Sequence, residues 1–345
     1  MSNVYTRWLP IALIAGVVGY YFWYLLQYAL NIPYQDEIYD VLGFLSELAR
    51  SGEWRNSLQL FFIKWNEHST ASARLVYYLA YQLFGEINFV TLTVLANLAL
   101  PAFVGLLCLR LHGQAHRWLV LLPVILTLFH FRAYYTALWS MTAFAYFYVL
   151  VYGFCSLYCL HKLTWARLLL AVVFASLATF SLASGQLVWL VGLLGVAYQT
   201  FVLRTLPAGY LAAWLVAATA VLLVWYSPAW GHPDLHFENL RNLTAEEARA
   251  YAANVAGIKE KPLLAALLIQ LKFFLAMLGG VVSDSNVLLA SATGIAFLMA
   301  FVFFAAAAWR GPDIRLELCC AYIFLTVAAM AHGRAELVVR AEAVN

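Results

Sequence analysis

The chain has 345 residues, 65% hydrophobic and 11% charged, with a formal net charge of +3. Soluble domains carry about 25% charged residues, so this balance, with a mean hydropathy of +0.81, excludes an ordinary soluble protein and points to an integral membrane one. The small net charge gives no reason to expect a nucleic-acid partner.

Several uncharged runs exceed the roughly 20 residues a helix needs to cross a bilayer, which excludes a single anchor. The short alternating segments of a membrane β-barrel are absent. The first run is too long and too aromatic for a cleaved signal peptide. The expected fold is therefore an all-α polytopic membrane domain over residues 1–345.

Basic connectors set the expected topology, because cytoplasmic loops collect Lys and Arg. Span one, Leu9–Leu30, follows Arg7, so the N-terminus is expected inside and the stretch Asn31–Asp40 (NIPYQDEIYD) outside. Residues 31–86 form a first outer loop. In it Ile38, Leu42, Leu45 and Leu48–Ala49 recur at helical spacing, with Asp40, Glu47 and Arg50 elsewhere on the wheel. That pattern predicts an amphipathic helix on the membrane surface, ended by Gly52. Leu58, Phe61, Phe62 and Trp65 suggest a second. Ser69–Phe84 is apolar but short and contains Arg74. Reading it as another surface helix puts the connector Arg110–Arg117 inside, as the positive-inside rule requires.

Span two is Phe89–Leu109, span three the short run Trp118–Phe131 with Pro123 inside it, and span four Ala137–Leu160. The uncharged stretch 168–203 is too long for one crossing, so it is read as two spans turning outward at Ser181–Gln186. Span seven, Leu211–Tyr226, leads to a second outer loop over residues 227–286, where Thr244 and Glu247 make a capping box. Leu263–Leu278, interrupted by Lys272, repeats the surface-helix pattern. Spans eight and nine are Val287–Trp309 and Leu316–Ala331. The total is about nine spans, with all unusual charges on one face. Cys155 and Cys159 lie one helical turn apart without paired His or Cys partners, and are read as buried structural thiols.

Three clusters meet on the outer face. Asp36–Glu37 closes span one; a carboxylate there serves as general base toward a hydroxyl, or simply marks the solvent boundary. Asn66–Glu67–His68 follows, with Arg74 beyond it. An arginine in an apolar helix requires a counter-anion, either a carboxylate such as Glu67 or a phosphate, unless it snorkels to headgroups. The third cluster is Arg132, Arg334 and the run from Gly231 to His236, whose His232, Asp234 and His236 form either a metal site or solvated loop. No spacing demands a metal.

In this order these residues resemble the GT-C superfamily of polytopic glycosyltransferases, closest to bacterial members that modify surface polysaccharides. The resemblance rests on Asp36–Glu37 after the first span and Leu83–Phe84–Gly85 ending a first-loop helix. It rests further on Asn66–Glu67–His68 with Arg74, on Leu138–Trp139, on Ser184–Gly185–Gln186–Leu187–Val188–Trp189, on a His-Pro at His232, and on Gly333–Arg334. The chain departs from the pattern at Ser69, where relatives often carry arginine. It also departs at Asn345, beyond which relatives continue; a truncated product or a compact variant is expected.

The resemblance implies transfer of a sugar from a polyprenyl-phosphate donor to a cell-surface glycan or lipid-linked acceptor, with inversion. Asp36 would activate the acceptor, assisted by Glu37 or His68; Arg74, Arg132 and Arg334 would bind the donor phosphate; Glu67 and His232 would position substrates. It further implies a bacterial inner-membrane location with the site on the periplasmic face, membrane lipid as surround, and no cofactor. The competing readings are a lipid or glycan transporter, a non-catalytic membrane subunit and, among enzymes, a protein O-mannosyltransferase.

Overall fold

The computed structural model describes residues 2–65, 68–111, 117–131, 134–227, 268, 271–272, 274–278, 287–308 and 318–328. Among them the fold is helical apart from one two-residue hairpin. Helix α1, Ser2–Tyr28, is followed by a π-helical turn, Ile38–Gly43, that runs into α2, Phe44–Arg50. Next come α3 (Trp54–Phe62), the strands β1 (Lys64–Trp65) and β2 (His68–Ser69), and α4 (Ala71–Phe84). The bundle continues with α5 (Phe89–Asn97), α6 (Ala99–Arg110), α7 (Arg117–Leu128), α8 (Tyr134–Leu138) and α9 (Ser140–Cys159). It is completed by α10 (Trp165–Thr179), α11 (Leu187–Ala197), α12 (Ala208–Trp225), α13 (Val287–Ala308) and α14 (Leu318–Ala328).

Five segments among the described residues are helical, long and apolar enough to cross a membrane: Trp8–Tyr28, Phe89–Leu109, Ser140–Cys159, Ala183–Val202 and Ala208–Trp225. The expected nine are not reached among the described residues, which cover spans eight and nine only in part. Helix α7 has 12 residues and α10 has 15, which at about 1.5 Å per residue fall short of a hydrocarbon core about 30 Å thick. Helix α4, with 14 residues, is likewise too short, as expected of a non-spanning element. It is docked rather than loose: Ala73, Tyr77 and Ala80 pack with Phe89, Leu92 and Phe144 of α5 and α9. Gly85, at φ +74, ends it in the left-handed conformation, its N–H bonding the Tyr81 carbonyl.

The second half of the bundle is built on small residues. Ala171, Ala175 and Ala178 on α10 are fully buried, and the Ser156 hydroxyl of α9 donates to the Ala171 carbonyl at 2.8 Å. Small side chains at this spacing let two apolar helices approach closely. The turn from α10 to α11 is made by the 3-10 segment Ala183–Gln186, where expected. It depends on Gly185, since a Cβ there would overlap the Ala178 carbonyl. Trp189 then donates to the Thr179 hydroxyl at 2.9 Å, and Trp214 to the Trp189 carbonyl at 3.1 Å.

In the first half, the segment Phe89–Leu109 is broken at Leu98, between α5 and α6. Pro101 explains the break, because it has no N–H to offer the Asn97 carbonyl one turn back. Asn97, fully buried, accepts from the Tyr21 hydroxyl at 2.6 Å and donates to the carbonyls of Thr93 (2.8 Å) and Ala137 (2.7 Å). One side chain thus ties α1, α5 and α8 together.

The chain from Asn31 to Gly85 crosses one end of the bundle. Asn31 accepts from the Phe89 N–H at 2.8 Å, Glu37 bonds the first turn of α9, and the Ser72 N–H donates to the Phe180 carbonyl at 3.1 Å. The ends of α1, α5, α9, α10 and α12 that meet this loop are those the alternating topology assigns to one face. The second loop, with its capping box, lies outside the described residues, apart from a few helical positions between 268 and 278.

Gly185→Ala is expected to destabilise the folded protein by about 1–3 kcal/mol, the typical cost of overpacking. Gly105→Ala, at a helical position with open space, should be neutral or stabilising. Thermal unfolding midpoints of the two variants in one detergent check the pair.

Candidate functional site

The site begins where α1 ends. Gln35 takes a left-handed conformation, φ +48, and turns the chain sharply between Tyr34 and Glu37. Glu37 is 2% exposed, and its carboxylate accepts from the Ser140 hydroxyl, the Met141 N–H (3.1 Å) and the Tyr34 N–H (2.9 Å). Ser140 and Met141 open α9, whose own flanking residue, Trp139, provides no capping side chain. Glu37 therefore caps a helix from a distant segment, with its charge at the positive end of the dipole. Burial raises its pKa, while the hydrogen bonds from Ser140, Tyr34 and Met141 oppose the rise.

The first-loop helix departs from expectation. Asp40, placed on the polar side of the wheel, is buried together with Val41 and Phe44, whereas Ile38 and Leu42 are exposed. The π-helical turn is the reason: its wider winding shifts the phase that a 3.6-residue wheel assumes. Trp65 also leaves the second predicted helix and lies in β1.

Arg74 finds a buried anion in Asp40. Its Nε donates to Asp40 Oδ1 at 3.0 Å, and Nη2 bonds the same oxygen. Nη1 donates to the carbonyls of Leu60 (2.9 Å), Phe61 (3.3 Å) and Ile63 (2.6 Å), groups that α3 leaves unsatisfied at its end. The Thr70 hydroxyl adds a bond to Asp40 at 2.9 Å. Arg74 is 3% exposed and Asp40 1%. A guanidinium so enclosed is a structural clamp, and its expected part as a donor-phosphate ligand would require displacing Asp40. Tyr77 lies among these charges with its hydroxyl unbonded within the described structure. Burial raises its pKa well above the ordinary phenol value, assisted by Asp40 and Glu37 and opposed by Arg74.

Asp36 differs from both acids. It is half-buried, and no described side chain hydrogen-bonds its carboxylate. Beside it stand three rings in mutual edge-to-face contact: Tyr34–Tyr135 at 5.8 Å, Tyr34–Trp139 at 5.6 Å and Tyr135–Trp139 at 5.3 Å. The Tyr135 hydroxyl is raised in pKa by desolvation, then by its bond to Tyr34, and further by the charge of Asp36. The Trp139 indole N–H is buried with no partner among the described residues. A carboxylate free to accept a proton, edged by rings that can stack on a ring-shaped substrate, is the catalytic potential of this end of the bundle.

Of the other residues singled out from sequence, His68 lies in β2, opposite Trp65. Glu67, Arg132, His232 and Arg334 lie outside the described residues. No group of three or more metal-ligating side chains occurs among the described residues. The sequence reading missed Asp40 and Lys64. Asp40 had a signal, as an acid within an apolar helical run; Lys64 had none beyond its place before Trp65. The chain matches no family model, no characterised protein and no solved structure.

Two outcomes test this geometry. Arg74→Met leaves the Asp40 charge buried and unpaired, which should cost about 3–5 kcal/mol. Adding Asp40→Leu should recover part of the loss, read as a double-mutant cycle of unfolding midpoints. For Glu37, a raised pKa means that the folded state holds the proton more tightly than the unfolded chain. Stability is then greatest below the ordinary carboxyl value of 4.5 and falls as pH rises through the raised value. Glu37→Gln, which keeps an acceptor oxygen, should flatten that slope in a pH series of thermal midpoints.

Proposed function

We propose that the chain is a membrane glycosyltransferase that moves a sugar from a polyprenyl-phosphate donor to a cell-surface glycan or lipid-linked acceptor. The observation that carries this reading is the isolation of Asp36. Of three acids within five positions, Glu37 caps α9 and Asp40 is paired with Arg74, while the Asp36 carboxylate has no hydrogen-bond partner among the described residues and stands beside aromatic rings. A general base requires that spare capacity.

In the proposed step the acceptor hydroxyl attacks the anomeric carbon and its proton passes to Asp36. The bond from that carbon to the phosphate oxygen breaks, and the phosphate leaves with the electron pair. One displacement inverts the anomeric centre. A cavity of about 470 Å³, lined by Leu100, Phe103, Phe147, Leu150, Leu182 and Ile323, offers an apolar surround suited to a lipid chain. The site is proposed to face the periplasm from a bacterial inner membrane. Glu37 is given a structural part, and Arg132 and Arg334 remain the arginines proposed to stabilise the leaving phosphate.

A transporter reading has one observation in its favour, the polar Asn97 in a broken segment beside that cavity. Both amide hydrogens and the carbonyl oxygen of Asn97 are engaged, which leaves it little capacity for a passing solute.

Asp36→Asn is expected to lower sugar transfer from polyprenyl-phosphate donor about 10²–10⁴-fold, the usual contribution of a general base, without lowering the unfolding midpoint. Reconstituted protein with radiolabelled donor makes the comparison. Equal turnover in wild type and variant removes Asp36 from the mechanism.

A further inference from the structure

A second cation in the first loop has no anion of its own among the described residues. Lys64 stands in β1 directly opposite Ser69 in β2, a register that puts both side chains on one face of the hairpin. Its ammonium lies 4.8 Å from the ring centre of Trp225 and 5.4 Å from that of Tyr226, at the end of α12. No described carboxylate, carbonyl or hydroxyl bonds it. Burial lowers its pKa.

Two buried hydroxyls in this region also lack partners. Ser69, 1% exposed, has none among the described residues, and neither has Ser184, 8% exposed. Ser184 lies in the α10–α11 turn, which reaches the Lys64 rings through a 2.9 Å bond from Tyr226 to Gln186. A buried hydroxyl left unbonded costs free energy, and this cost is removed when an acceptor arrives.

Nearby, an apolar groove of about 460 Å³ lies between α3, α4 and α10, lined by Leu58, Phe61, Phe62, Leu75, Val172 and Phe180. The path between them is a chain of rings: Phe62 packs on Phe180 at 5.0 Å, and Phe180 on Trp225, the ring beneath Lys64, at 5.8 Å. A cation and an unsatisfied buried donor at one end, with an apolar trough leading away, match an amphiphile with an anionic head.

We propose that Lys64 and Ser69 bind the phosphate head of a lipid whose chain lies in the groove between α3, α4 and α10. The groove commits the ligand to a lipid, since a free phosphate has nothing to place there. The inference deepens the transferase reading, which needs a cation for the donor phosphate now that Arg74 is occupied. It rests on that reading only for the identity of the lipid, because binding requires neither a sugar nor a reaction.

The test titrates the full chain, in phosphatidylcholine nanodiscs, with a long-chain polyprenyl phosphate, the matching uncharged polyprenol and inorganic phosphate, and counts bound lipid by native mass spectrometry. Wild type should prefer polyprenyl phosphate over polyprenol by at least about tenfold, the value of one charge-assisted contact. Lys64→Met should erase that preference and Lys64→Arg should keep it, while Leu75→Trp, which fills the groove, should weaken both lipids. Unfolding midpoints show that each variant is folded. The proposal is overturned if folded Lys64→Met keeps the preference, or if inorganic phosphate at equal concentration displaces the lipid. Selective lipid binding without sugar transfer would overturn the transferase reading and leave this inference standing. Transfer by a protein whose Lys64→Met variant binds lipid normally would do the reverse.

Discussion

A guanidinium at 3% exposure facing a carboxylate at 1% exposure cannot be left half made, because either partner alone is an uncompensated charge in apolar surroundings. In this protein the Arg74–Asp40 pair joins segments distant along the chain. Asp40 belongs to the turn after α1, Arg74 to α4, and the carbonyls that share the guanidinium to the end of α3. The pair fixes how the whole first loop lies across the bundle. Because α3 is held by its last carbonyls, the strand that follows starts from a set position, and Lys64 comes to rest over Trp225. The groove between α3, α4 and α10 inherits one wall, α3, from the same clamp.

The same constraint separates three acids that sequence alone makes look equivalent. Asp40 is neutralised by a fixed cation, and Glu37 is held by a helix end and three hydrogen bonds. Both carboxyls are engaged by the fold. Asp36 precedes both in sequence; its backbone carbonyl accepts from the Tyr39 and Asp40 N–H groups, while its carboxylate stays outside both networks. A base that shares its lone pairs with permanent donors must break those bonds to take a proton; one positioned through its backbone need not. Of the three, Asp36 is the carboxylate left free for chemistry in the proposed reaction.

Much of the bundle was legible because apolar length and basic connectors are strong signals. Segments Phe89–Leu109 and Ala208–Trp225, and the turn near Gly185, fall where charge-free runs and a glycine require them. The first loop was legible in content but not in phase. A helical wheel assumes regular winding, so one π-helical turn was enough to exchange Ile38 and Leu42 for Asp40 as the inward residue. Pairing of Arg74 was illegible for a second reason: its anion lies 34 positions away, and nothing local ranks Asp40 above Glu67. Lys64 escaped notice because its special environment, two rings of α12 and no anion, exists only after the bundle has closed.

The contrast between the two loop cations bears on how a phosphate is exchanged. Arginine offers a planar fork suited to phosphate, but Arg74 has spent that geometry on Asp40 and three carbonyls, and a ligand would have to displace a buried ion pair to reach it. Lysine is a poorer fork and a better transient partner, a point charge on a flexible stem that can leave an aromatic surface for an anion and return. Recurrent binding and release of a charged head needs the second kind. A permanently bonded arginine holding the loop and an unbonded lysine open to a ligand are therefore complementary, one supplying the rigidity that lets the other stay unsatisfied.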